Sequence, residues 1–231
     1  MNATAHQQVP APTDPIAMFG LWRVGTPDRQ TAAIDAIATA WQARPWPGEG
    51  LSSYAVLAGD DGDTLLHYSQ TPRLDAPVRQ DLTWKSDVDA AVPGINRLGV
   101  TACHLRQSTP AHAGLDDVGC LVLVTRVFDG PDLERAERLV HTMFAAGAKT
   151  PPAEGMISAH FYVSLDGTEV FNYALWTSAA AHQTAIDNVP KPLADSEEWQ
   201  HAHAWPGLLT TSFQRFRPRL LMESPASTPS R

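Results

Sequence analysis

Two stretches of this chain alternate apolar and polar positions in the same order and break at equivalent places. The first opens with Ile16-Ala-Met-Phe-Gly-Leu-Trp-Arg-Val24, an apolar run of strand length. Thr26-Pro27-Asp28 then supplies a helix start, with Thr26 as cap, Pro27 in the first turn and Asp28 near the positive end. Ile34, Ile37, Ala38 and Trp41 follow on one helical face, and Pro45 and Pro47 end the helix. Strands are predicted over Leu51–Leu57 and Thr64–Tyr68 around the turn-forming Gly59-Asp-Asp-Gly62. A helix over Asp81–Val92, stopped by Pro93-Gly94, and a strand over Leu98–Leu105 complete the stretch.

The second stretch repeats the order. Val118–Phe128 reads as a strand and Gly130-Pro131-Asp132 as a helix start, with Ala136, Leu139, Val140, Met143 and Phe144 on the buried face. Ile157–Ser164 and Glu169–Trp176 form a hairpin across Asp166-Gly167. Ser178–Asn188 is helical, Ser196–Trp205 is a further helical segment, and Leu209–Phe216 is the last strand. Gly50, Asp61, Gly62 and Tyr68 recur at identical spacing as Gly155, Asp166, Gly167 and Tyr173. The pattern predicts an α+β protein of two tandem βαββαβ, ferredoxin-like units, residues 16–110 and 111–223, between disordered tails at 1–15 and 224–231. A sheet with helices on one face must bury the other. Two such sheets packed together enclose a cavity suited to a small apolar ligand.

Composition narrows the partners. A formal charge of −8 argues against nucleic acid, which needs clustered Lys and Arg, and against a polybasic membrane surface. No apolar run approaches the roughly 18 residues that span a bilayer, and the N-terminus lacks signal-peptide character. Cys103 and Cys120 lie on separate apolar segments and read as buried thiols, so a cytoplasmic protein is expected.

The segment from Gly155 to Ile186, above all Asn172-Tyr-Ala-Leu-Trp176-Thr-Ser-Ala-Ala-Ala-His182, resembles the antibiotic biosynthesis monooxygenases. The resemblance covers 118–216 well and 16–108 weakly. It implies a dimeric αβ barrel fused into one chain, packed sheet to sheet, with a further homodimer of fused repeats as one option. It implies an oxygenase acting on an aromatic polyketide and O2, with no metal and no tightly bound cofactor. Within the family, the oxygenases that open the B ring of angucyclines imply reduced flavin (FADH2 or FMNH2) as a diffusible co-substrate, and a flavin reductase as partner. A non-redox polyketide cyclase and a non-catalytic ligand-binding pseudo-dimer remain as alternatives, with heme degradation behind them.

Asn172 and Trp176 match family positions that line the substrate cavity, and four residues apart on one strand they share a face. With Asp166-Gly167 as the turn, Phe161 lies opposite Asn172. An amide beside two rings suits a flat phenolic substrate. His182 stands where small anthrone oxygenases carry tyrosine, and histidine can take a phenolic proton. The catalytic expectation is therefore His182 as base, Asn172 as oxyanion donor and Trp176 as stacking wall. His160 and Tyr162 alternate with Phe161 and reach the site only across a bulge. Arg126, Arg215 and Arg217 are candidates for the family's cavity arginine, which has no counterpart by direct count. In the first unit the motif is absent, His67 standing for Asn172. That unit is expected to serve as lid and partner sheet, with His67, Trp22 and Tyr54 lining the shared interior as substrate contacts. No three-ligand metal spacing occurs.

Overall fold

Paired caps and turns fix the elements. The structure, a computed structural model, describes residues 16–47, 50–73 and 83–224, and among them it is an α+β protein of eight strands and six helices. The expected tails lie outside these residues, apart from Ser224. Two compact units are present: one runs through Ala102 and takes up the chain again from Phe216, the other is Cys103–Arg215.

Unit 1 contains β1 (Ile16–Arg23), α1 (Pro27–Gln42), β2 (Ser53–Gly59), β3 (Thr64–Thr71), α2 (Thr83–Ala91) and the first part of β4 (Asn96–Ser108). Thr26 caps α1, its Oγ1 accepting from the Arg29 N–H at 3.3 Å. At the β2–β3 turn Gly62 has φ +72°, and Asp61 Oδ1 accepts from the N–H groups of Asp63 and Thr64. The sheet order is β1-β3-β2-β8, with β8 the last strand (Leu208–Glu223), all antiparallel.

Unit 2 contains the rest of β4, a single 3-10 turn (Leu115–Asp117), β5 (Cys120–Phe128), α3 (Leu133–Gly147), β6 (Met156–Ser164), β7 (Glu169–Trp176), α4 (Ala179–Asp187), α5 (Lys191–Ala194), α6 (Glu197–His203) and the start of β8 (Leu208–Glu223). Asp132 caps α3 through the Arg135 N–H at 2.9 Å, and Ser178 caps α4 through the Ala181 N–H at 3.0 Å. The sheet order is β5-β7-β6-β4. Helix α3 buries Ala136, Leu139 and Val140 against Val122, Val163 and Ala174, about 2 kcal/mol for each of the larger side chains. Gly167, at φ +76°, sits so close to the start of α3 that a Cβ would come within 2.5 Å of the Asp132 carbonyl carbon and the Leu133 nitrogen.

The closing strands run past the boundaries drawn from the pattern. Cys103–Ser108 of β4 pairs with β6 inside unit 2, and Phe216–Glu223 of β8 pairs with β2 inside unit 1. Both cysteines are buried thiols, and burial pushes the Cys103 thiol up. No helix among the described residues is long and apolar enough to cross a membrane.

Candidate active site on the helix side of unit 2

The hairpin register places Phe161 opposite Asn172, as the turn predicts, and sets Asn172 opposite Val124 on the other side. Phe161, Asn172, Ala174 and Trp176 therefore share one face. That face is the one covered by α3, where Phe144 meets Phe161 edge-on at 5.3 Å. The expectation of a site on the helix-free face of the sheet is corrected here: the strand pleat turns Asn172 and Trp176 toward the helices of their own unit.

The opposite face holds Tyr162 and Tyr173, fully buried, together with His160. His160 is held by Ser158 Oγ at Nε2 (2.9 Å) and by Ser108 Oγ at Nδ1 (2.8 Å), and burial keeps it neutral with a pKa of about 4. The only bulge of β6 against β7 lies at Ile157, too early to rotate these side chains. His160 and Tyr162 thus lie on the opposite face of the sheet from Asn172.

On the helix-facing side, Asn172 Oδ1 and Trp176 Nε1 are both buried with no hydrogen-bond partner, although Trp176 is only 6% exposed. His182, on the buried side of α4, closes one end of the face. Its ring meets Trp176 edge-on at 5.1 Å and Phe213 edge-on at 5.2 Å. Arg215 Nε donates to His182 Nδ1 at 3.0 Å, while Arg215 Nη2 donates to Gln183 Oε1 at 2.6 Å. Burial first, and the Arg215 charge second, hold the imidazole down at about 4. A neutral ring that accepts at Nδ1 carries its proton on Nε2. His182 is therefore presented as an N–H donor, and the expected role of base does not fit this geometry.

Two residues extend the face beyond what the sequence motif covers. Arg126, paired across from Val170, is 6% exposed; its Nη1 has no partner, it forms no ion pair among the described residues, and burial lowers its pKa to about 10. A buried, uncompensated guanidinium costs several kcal/mol unless an anion meets it. Gln107 reaches the face because a bulge at Arg106 sets it opposite Phe161; its Nε2 contacts His141 Nδ1 at 3.2 Å, and its Oε1 is buried without a partner. Of the three candidate arginines, Arg126 and Arg215 belong to this face, whereas Arg217 pairs with Asp60 at 3.0 Å in unit 1.

His67, Trp22 and Tyr54 come together, but within unit 1. All three lie on the helix-facing side of that unit's own sheet, with Tyr54 Oη 2.5 Å from His67 Nδ1 and the Trp22 and His67 rings 4.0 Å apart. Among the described residues no group of three or more His, Cys, Asp or Glu is placed to hold a metal ion.

Neither a protein-family model nor a curated protein sequence matches this chain. Solved structures do. An anthrone oxidase-like protein superposes with TM-score 0.72 at 14% identity over 96% of this chain and 99% of its own. A proposed monooxygenase from Fusobacterium nucleatum subsp. nucleatum superposes at 0.61 with 8% identity over 92% and 96% of the two chains. A proposed monooxygenase from Lactobacillus acidophilus superposes at 0.56 with 10% identity over 91% and 97%. At these identities the likeness shows a shared fold and nothing of the chemistry.

Proposed function

We propose that the protein is an oxygenase of a polycyclic aromatic polyketide and that its reaction takes place on the helix-facing side of the unit 2 sheet. One observation carries this reading. Asn172, Trp176, Gln107 and Arg126 each bring a buried, unpartnered polar atom to a single face that is otherwise lined by rings and aliphatic side chains. A flat ligand with several phenolic oxygens would stack along Trp176 and Phe161, its hydroxyls donating to Asn172 Oδ1 and Gln107 Oε1 and its other oxygens accepting from Trp176 Nε1 and Arg126 Nη1.

Ionisation of the bound phenol or enol is the step that the site favours. His182 Nε2–H, the Asn172 amide and the Arg126 guanidinium stabilise the oxyanion, and the proton passes to water because His182 already holds its own. The resulting electron-rich anion reduces O2; for an anthrone, one oxygen atom enters the product as the new carbonyl, and the other leaves as water with the two hydrogens of the oxidised carbon. Trp176 and Phe161 also offer flat walls, and Arg126 a cation, for reduced flavin, which would supply electrons to O2. The anthrone oxidase-like fold neighbour supports the polyketide reading, as does the Asn-Tyr-Ala-Leu-Trp hairpin.

Oxygen uptake with an anthrone and with an angucyclinone, each with and without reduced flavin and against flavin-only controls, tests the proposal. Uptake with a product that has gained oxygen or lost hydrogen is expected. Conversion with loss of water and no O2 consumption would replace it with a cyclase, and tight binding without turnover with a ligand-binding protein.

A further inference from the structure

Unit 1 carries a second polar cluster, chemically unlike the first. On the helix-facing side of its sheet, Trp22, Trp41, Trp46, Trp84 and Tyr54 form one aromatic group. Trp41 stacks on Tyr54 at 4.9 Å and 25°, and Trp22 stacks on Trp84 at 5.8 Å and 15°. His67 sits at the centre, only 8% exposed, bonded through Nδ1 to Tyr54 Oη. Burial keeps the Tyr54 phenol protonated, so it donates to Nδ1 and leaves the His67 proton on Nε2. That Nε2 has no partner, nor does Trp41 Nε1, nor Arg97 Nε.

All three unpartnered groups are N–H donors. Two cations flank them: the Arg97 guanidinium lies 4.3 Å over Trp22, and Lys85 lies 5.8 Å over Trp84. Asp89 offsets Arg97 at 2.9 Å, and Asp87 is engaged by Arg44 at 2.6 Å. Simple packing would be served as well by an apolar side chain at position 67. Donors and cations with no unpartnered buried acceptor beside them among the described residues, set among stacked rings, complement a planar ligand whose edge carries only acceptors.

We propose that unit 1 holds a second ligand site, built on the Tyr54–His67 pair and walled by Trp22, Trp41 and Trp84, for a planar hydroxyquinone bound through a carbonyl or phenolate oxygen. The site is independent of any reaction in unit 2. Its donors favour the ionised ligand, so a hydroxyquinone bound there absorbs as its phenolate at a pH where the free compound is neutral.

Alizarin is a suitable probe, titrated into the full chain near pH 5.5 while its absorbance and the histidine ring 15N resonances are followed. Saturation is expected to shift alizarin to its phenolate spectrum and to move the His67 Nε2 resonance. His67→Leu should weaken this binding by about tenfold or more, the loss of one hydrogen bond to a charged oxygen. Arg97→Met, which changes a partly exposed side chain, and Tyr54→Phe, which keeps the ring, should each weaken it several-fold with melting temperature preserved. Asn172→Ala with Trp176→Leu should leave it intact, which separates this site from the one in unit 2. Absence of alizarin binding, an unmoved His67 resonance at saturation, or affinity within twofold of wild type in Arg97→Met and Tyr54→Phe would overturn the proposal.

Discussion

Replacing Arg215 by methionine tests the role given to His182. In the intact protein the ring falls from an ordinary 6.5 to about 4, with burial as the larger cause and Arg215 as the smaller. Arg215 therefore accounts for less than half of that fall, at most about one pH unit or roughly 1.4 kcal/mol. Coulomb's law gives a bound: unit charges about 4 Å apart repel by roughly 1 kcal/mol in water and by about 4 kcal/mol at an effective dielectric of 20. The low end agrees, as expected for a guanidinium that solvent partly screens. Arg215→Met should thus raise the His182 pKa by about one unit, still short of 6.5 because burial persists, and should free Nδ1, giving a mixture of tautomers. Long-range 1H–15N correlation spectra of histidine-labelled protein between pH 3.5 and 8 read both quantities. Oxyanion stabilisation should fall with the loss of the fixed Nε2–H, lowering turnover by about tenfold. A wild-type His182 that titrates near 6.5, or carries its proton on Nδ1, would refute the donor assignment and restore the histidine to the role of base.

Three further outcomes are expected. Arg126→Met should leave the fold as stable or more so, by about 1 kcal/mol or more in urea unfolding, while raising KM for an ionisable substrate roughly tenfold; a stability loss with unchanged KM would make Arg126 structural. His67, His160 and His182 all have folded pKa values depressed below 6.5, to about 3, 4 and 4, so their stabilisation is complete above pH 6.5 and is lost as pH falls toward 4, up to about 3 kcal/mol for each ring. Urea midpoints at pH 7.5, 6 and 4.5 should show this decline, and a flat profile would contradict the buried neutral rings. Gly167→Ala, which forces a side chain into a positive-φ turn and against the backbone at the start of α3, should destabilise unit 2 by at least about 2 kcal/mol, read by thermal melting.

Much of this molecule is determined locally, and local features are what a sequence displays. Thr26, Asp132 and Ser178 cap helices because a side-chain oxygen lies within reach of a backbone N–H three residues on, a relation independent of the rest of the chain. The Asp166-Gly167 turn sets the hairpin register, and with it the pairing of Phe161 with Asn172 and the turning of His160 and Tyr162 to the other face. What the sequence could not determine depends on contacts between distant segments. Alternation says that Asn172 and Trp176 share a face, but only the packing of α3 decides that it is the helix-covered one. A bulge at Arg106 shifts the parity of β4 and brings in Gln107, and no composition signal announces a bulge. Arg215 reaches His182 on α4 from the distant strand β8 and fixes its tautomer, turning an apparent base into a donor. Burial strips Arg126 of solvent and leaves it without an ion pair among the described residues, which no feature of the sequence around it announces. Spacing along the chain fixes which side chains can act together; desolvation and the neighbours supplied by the fold decide what each of them can do.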